Sequence, residues 1–379
     1  MVVSISPQGL CSNAHQTNAK TMSQNIAINR RARQRRRLRS IIIGGAVGAG
    51  LGLLFALLLQ GGKLGPLANG LINGMVIGGV GAVFENYVFQ VRFRKLNFLT
   101  VLLIRSLMYA ALVSVTVLLE IKAYRAVRYG IPLTEFSGDT GFMEFLTGGE
   151  FFAIFVFAVV GSFVINFLRQ INRLLGQNVL LNYITGRYHK PIEEERIFLF
   201  LDMRSSTTIA ERIGHLPFHQ LINDCFFDLT EPIIESKGEI YQYVGDEIVV
   251  TWPMEKGLQD ANCIRCFFAI ADRMEELREE YTAKYGFIPE FKAGYHYGMV
   301  IIGEIGDVKK EIAFHGDPVN TTARIQAECN GFGTNILLSG DLLERLPATP
   351  ELKPRRIGSI QLRGKERAVE LFTMEREIG

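Results

Sequence analysis

Four long apolar segments fill residues 41–59, 71–91, 98–121 and 151–167, and none follows in the rest of the chain. Each approaches or exceeds the ~20 residues with which a helix crosses a bilayer. That asymmetry excludes a wholly water-soluble chain. It divides the 379 residues into a membrane half and a half that mixes strand-like and helix-like patterns. The expected boundaries are a basic segment at 1–40, a domain of four transmembrane helices at 41–167, a coupling helix and linker at 168–195, and a globular domain at 196–379.

Charge placement gives the orientation. The first carboxylate is Glu85, and seven arginines crowd into 30–39 directly before the first apolar run. Lys and Arg near the spans mark the cytoplasmic side. The arginine cluster, Arg92, Arg94 and Lys95, and Arg169 and Arg173 all agree with both termini inside, whereas Lys122, Arg125 and Arg128 oppose it. The expectation is a multi-pass protein of the cell inner (plasma) membrane with its globular domain in the cytoplasm. A cleaved leader is the weaker reading, because the first apolar run is long for a signal core. A basic cluster that enters an apolar stretch points to topology or anionic lipid rather than to nucleic acid. The five cysteines are odd in number and scattered, so no disulfide framework is implied, and Cys263 and Cys266 read as helix packing in preference to zinc.

Gly44, Gly48 and Gly52 in the first span and Gly70, Gly74 and Gly78 in the second recur every fourth residue, a spacing that lets helices pack closely. Glu85 and Arg105 are expected to pair, since a lone charge in a bilayer costs roughly 2.5–3.5 kcal/mol; a ligand site there is the minority reading. Leu168, Ile171 and Leu175, followed by Asn178 and Asn182, suggest a helix leaving the membrane, either a parallel coiled coil or an ordinary amphipathic linker.

In the second half, the apolar run 197–201 reads as a strand buried on both faces and ends in Asp202. Arg204, Ser205, Ser206 and Thr207 follow at a helix start, either as a plain Ser/Thr cap or with amides placed for phosphate oxygens. Residues 239–250 read as a hairpin with Asp246 at its Gly-Asp tip. Two carboxylates that converge could bind two Mg²⁺ ions together with substrate phosphates. Residues 314–325 begin with a turn and enter a helix on which Asn320 and Arg324, four apart, share a face.

FLFLDMRSST, YVGDE, HGDPVNTTARI and RGKERAVELF stand in that order, with 44 residues (246 minus 202) between the two aspartates. In this the segment from about 196 to 372 resembles the catalytic domain of class III nucleotidyl cyclases, and the preceding LNYITGRYHKPIEEER resembles the linker of bacterial members. The resemblance implies a ferredoxin-like α+β fold. It implies two Mg²⁺ or Mn²⁺ ions per site held by Asp202, Asp246 and the Met203 carbonyl. Asn320 would orient the ribose, Arg324 would stabilise the reacting α-phosphate, and Lys365 would contact the terminal phosphates. It further implies a homodimer whose sites combine the aspartates of one chain with the Asn and Arg of the other. The base-selecting positions are Gln242, where the family usually has Lys or Glu, and Ala313, where it usually has Asp, Thr or Ser, so an amide that donates and accepts suits either purine. The expected function is a membrane-anchored adenylate cyclase acting on ATP, with guanylate or permissive purine cyclase as the first alternative. A receptor with a non-catalytic cyclase-like dimerisation module is the second, and what the membrane helices sense is left open.

Overall fold

The computed structural model describes residues 34, 37–58, 64–89, 93, 96–132, 134, 140–177, 179–361 and 368–377. It forms two compact units, one of residues 28–174 and one that holds 175–379.

In the first unit four helices are long and apolar enough to cross a membrane: α1 (Arg37–Leu58), α2 (Leu64–Phe84, continued by a π-helical turn, Glu85–Phe89), α3 (Phe98–Tyr129) and α5 (Gly149–Leu175). A short helix, α4 (Thr140–Thr147), precedes α5 between the third and fourth apolar runs. Helix α3 outruns its apolar stretch by eight residues. Asn97 caps its start through Thr100 N–H at 2.8 Å, and Gly130, at φ 70°, ends it in the left-handed conformation that favours glycine.

The glycine spacing is used as expected. A side-chain carbon at Gly48 would strike the Gly74 carbonyl, one at Gly52 the Gly70 carbonyl, and one at Gly78 the Gly44 carbonyl, so α1 and α2 touch backbone to backbone. Glu85, in the π-helical turn, meets Arg105 at 3.2 Å and Arg173 at 3.6 Å; the Arg105 side chain is 2% exposed. The single helix expected across 168–182 is interrupted. Helix α5 ends at Leu175, Gly176 takes φ 102°, and a separate helix, α6 (Val179–Thr185), follows, so the proposed seam is not continuous. Asn178 lies outside the described residues.

The second unit is built on an eight-stranded sheet in the order β2-β3-β1-β4-β6-β8-β7, with β5 paired to β4. Its strands are β1 (Ile192–Met203), β2 (Glu239–Val244), β3 (Glu247–Pro253), β4 (Phe291–Ile305), β5 (Glu311–His315), β6 (Ile336–Ser339), β7 (Leu352–Ile360) and β8 (Val369–Arg376). Strand β1 begins before residue 196. Its first residues alternate exposed glutamates, Glu193 and Glu195, with half-buried neighbours, a pattern that conceals a strand from an apolar-run search.

From residue 197 to the end of β1, Ile197, Leu199, Leu201 and Met203 point to one face. There they pack under α8 (His215–Glu235) through Leu221, Cys225, Leu229 and Ile233. The helix that precedes α8 is α7 (Ser206–Ile213); those that follow are α9 (Met254–Leu258), α10 (Asn262–Glu276), α11 (Arg278–Tyr285), α12 (Asp317–Ala327) and α13 (Gly340–Arg345). Cys263 and Cys266 of α10 sit in the same core, and burial pushes both thiols up to about 12, opposite to the shift of a metal-binding thiolate. The other face of β1 presents Phe198, packed with Tyr188, Val300 and Ile302.

Candidate active site

Asp202 ends the buried run of β1, and antiparallel pairing sets it between Glu247 of β3 and Lys292 of β4. The β2–β3 hairpin closes through Gly245 and Asp246, with Val244 opposite Glu247. A two-residue hairpin turn of this kind needs positive φ at its first position, which Gly245 supplies at 62°. The hairpin thereby carries Asp246 to Asp202. Burial raises the Asp246 pKa most, the Ser206 hydroxyl opposes the rise, and Asp202 beside it adds to it. Burial, then Asp202 and Asp246, push the Glu247 carboxyl up to about 7. Asp246 Oδ2 is buried without a hydrogen-bond partner.

Among the described residues Lys292 pairs with this acidic group, its Nζ 3.0 Å from Asp202 Oδ2. Gln326 of α12 donates to the same oxygen through Nε2 at 3.1 Å. Surplus negative charge, an orphaned buried oxygen and donors that are all oxygen fit hard divalent cations better than zinc or iron. Among the described residues no group of three or more His, Cys, Asp or Glu side chains forms a metal cluster, so a cation held here would need further oxygens from main chain, water or substrate. Met203 buries its side chain in the core and offers only its main chain.

The chain leaves β1 through a strained turn. Ser205 takes φ 54°, a left-handed value uncommon outside glycine, and its side chain makes no capping bond to α7. The plain cap, one of the two readings of this segment, is therefore absent at this residue. Arg204 turns its guanidinium to the Thr334 carbonyl at 2.8 Å, Ser206 faces Asp246, and Ser205 and Thr207 are exposed. The amides at the start of α7 thus lie in the segment directly after Asp202.

Helix α12 starts with Asp317 and the buried Pro318, whose ring suits a first helical turn. Gln326 points inward at 5% exposure, Asn320 is exposed and Arg324 is half-buried. Two residues turn an α-helix by roughly 200°. Arg324 accordingly faces away from the Asp202 that Gln326 holds. The pair stands together, as the spacing implied, on the helix face turned away from Gln326.

Gln242 is exposed on β2, and Ala313 is buried on β5. A bulge at Tyr241 shifts the register between Ile240 and Gln242, so Gln242 stands opposite Val249. The neighbours of the two positions meet: the Tyr241 ring contacts Phe314 edge-on at 4.7 Å, and Phe314 also packs on Phe198 and under the Arg196 guanidinium. Arg196, 2% exposed, is anchored by Glu194 at 3.0 Å, Thr251 at 3.1 Å and Glu239. Lys365 falls in 362–367, outside the described residues.

Sequence reasoning missed Lys292, Gln326, Glu247 and Arg196. A signal existed for Lys292: it alternates with Phe291 and Ala293, which puts it on the face opposite that core. None existed for Gln326, whose partner lies 124 residues away.

Residues 188–375 match the family described as adenylate and guanylate cyclase catalytic domain. The chain is 36% identical over 221 residues to adenylate cyclase 2 of Rhizobium meliloti (strain 1021), covering 58% of this chain and 61% of that protein. It is 24% identical over 184 residues to adenylate cyclase 1 of the same organism, covering 47% and 27%. The chain therefore spans about three fifths of the first relative and about a quarter of the second. Among solved structures, that of a bacterial light-regulated adenylyl cyclase matches with a TM-score of 0.50 at 22% identity over 59% of this chain and 65% of that one, a likeness of fold.

Proposed function

Since the C-terminal half of the chain, residues 188–375, belongs to the adenylate and guanylate cyclase catalytic domain family, we propose that the protein is a membrane-anchored adenylate cyclase. It would convert ATP to 3′,5′-cyclic AMP and pyrophosphate at sites shared between two copies of the chain. The observation that carries this reading is the meeting of Asp202, near the end of β1, with Asp246 in the neighbouring β2–β3 turn, while Asn320 and Arg324 stand on the face of α12 turned away from Gln326. Such a division suits a site completed by a second copy.

In this reading Asp202, Asp246 and the Met203 carbonyl hold two Mg²⁺ or Mn²⁺ ions. Bound there, the ions supply Lewis acidity, which makes the ribose 3′-hydroxyl more acidic and neutralises charge on the phosphates. The protein's own groups do the rest. Asn320 from the second copy hydrogen-bonds the ribose and holds its hydroxyl near the α-phosphate. Arg324 places a planar, permanently charged guanidinium where negative charge accumulates. Amides of Ser205, Ser206 and Thr207 would take phosphate oxygens, with the Lys292 ammonium beside Asp202 adding positive charge; Arg204, committed to Thr334, would act by fixing this turn. Lys365 is assigned to the terminal phosphates by its motif. Gln242 reads the purine edge against the small Ala313.

Adenine preference is supported by the 36% identical relative, an adenylate cyclase. The neutral amide of Gln242 favours a second reading, a guanylate or permissive purine cyclase. The four spans, the inward-biased cations and the exposed apolar side chains of α1, α2, α3 and α5 support an inner-membrane, multi-pass location with the catalytic domain in the cytoplasm. Purified full-length chain incubated with Mn²⁺ and either ATP or GTP decides among the readings. Cyclic AMP from ATP is expected, cyclic GMP alone would make it a guanylate cyclase, and no product from a folded protein would leave a dimerisation module.

A further inference from the structure

The inward face of α12 carries a residue to which no part of the reaction above assigns a task. Gln326 is almost fully buried and lies so close to β4 that a side-chain carbon at Gly294 would strike its backbone. Its amide and the Lys292 ammonium both donate to Oδ2 of Asp202, at 3.1 Å and 3.0 Å. The two donors differ in kind. An ammonium brings a full positive charge that competes with a metal ion for the carboxylate, whereas an amide fixes the carboxylate's rotation and adds no charge. A carboxylate at 326 would lack the donor and repel Asp202. Hydrogen bonds that orient a ligating carboxylate are commonly worth 10–100-fold in metal affinity.

We propose that Gln326 is a positioning residue for Asp202. It holds one oxygen so that the other is presented to a divalent cation, and it ties the helix bearing Asn320 and Arg324 to its own chain's carboxylate. The inference rests on Asp202 being a metal ligand, as proposed above.

The test is Mn²⁺ binding to the detergent-solubilised full chain without nucleotide, read from the free-ion signal in electron paramagnetic resonance. Gln326→Met keeps the length and removes the donor, and should weaken binding by roughly tenfold. Lys292→Met removes the competing cation from the same oxygen and should tighten it. Opposite signs at one oxygen are the signature, because lost packing alone would not tighten binding in either variant. Weakening in both variants, or no change with Gln326→Met, would overturn the proposal. Asp202→Ala separates the two levels: if it binds Mn²⁺ like the unaltered chain, the metal reading itself fails. If Asp202→Ala loses Mn²⁺ and Gln326→Met keeps it, only the role of Gln326 fails. Thermal melting of each variant identifies unfolding, and Gln326→Leu replaces Gln326→Met should that one not fold.

Discussion

At Asp246 burial, and after it a neighbouring aspartate, disfavour the charged form of the carboxylate. Such a group costs stability and is kept for what it binds. Asp246→Asn should therefore lower turnover with Mn²⁺ by roughly a hundredfold or more, while the melting temperature of the metal-free chain holds or rises. Turnover at the original rate, or a chain that unfolds, would contradict that account. Gln242 offers a test of the base. Gln242→Lys puts a donor-only group at the purine edge and should raise the ATP/GTP rate ratio by about tenfold; Gln242→Glu, acceptor-only, should lower it by a similar factor. Initial rates with each nucleotide measure both, and unchanged ratios would move recognition elsewhere. Asp202 and Asp246 were legible in the sequence because each sits in a local pattern: Asp202 closes an apolar run and Asp246 tips a Gly-Asp hairpin; Gln242 was found by its place four residues before Asp246. Lys292 and Gln326 acquire their meaning from strand register and from a helix folding back over 124 residues, which no window along the chain contains.

At the scale of elements, α1 and α2 depend on the absence of side chains where they cross. Gly74→Val would push the Gly48 backbone away and should destabilise the membrane unit by about 2 kcal/mol, as overpacking does. Gly50→Ala, with nothing within 4 Å of the added carbon, should change little. Melting of the two variants in detergent compares them, and equal loss would remove the close packing of this pair. The spans were readable because hydropathy integrates over twenty residues. Their ends were not: α3 continues through Lys122, Arg125 and Arg128, since helix propagation does not require apolar residues once a turn exists. The break at Gly176 escaped because leucines on both sides keep the helical spacing while the glycine's positive φ interrupts the backbone. The bulge at Tyr241 likewise breaks the period of two on which strand reading depends.

For the whole molecule, the outward face of α12 makes a sharp statement about assembly. Asp202→Ala and Arg324→Ala should each be inactive alone, yet co-expression should recover roughly a quarter of the unaltered activity, because about half the dimers are mixed and each has one of two sites intact. The membrane helices raise effective concentration, so recovery should exceed that of separately purified chains mixed afterwards. Demonstrably paired chains that stay at the level of either parent would refute the shared site. A site shared in this way would also govern dosage. A chain whose Asn320 and Arg324 served another copy would be silent by itself, and where pairing is sparse the number of pairs grows as the square of the number of chains per unit of membrane area. Halving synthesis would then cut the output about fourfold, and any influence that gathers chains into one patch of bilayer would raise the signal without touching a single catalytic group.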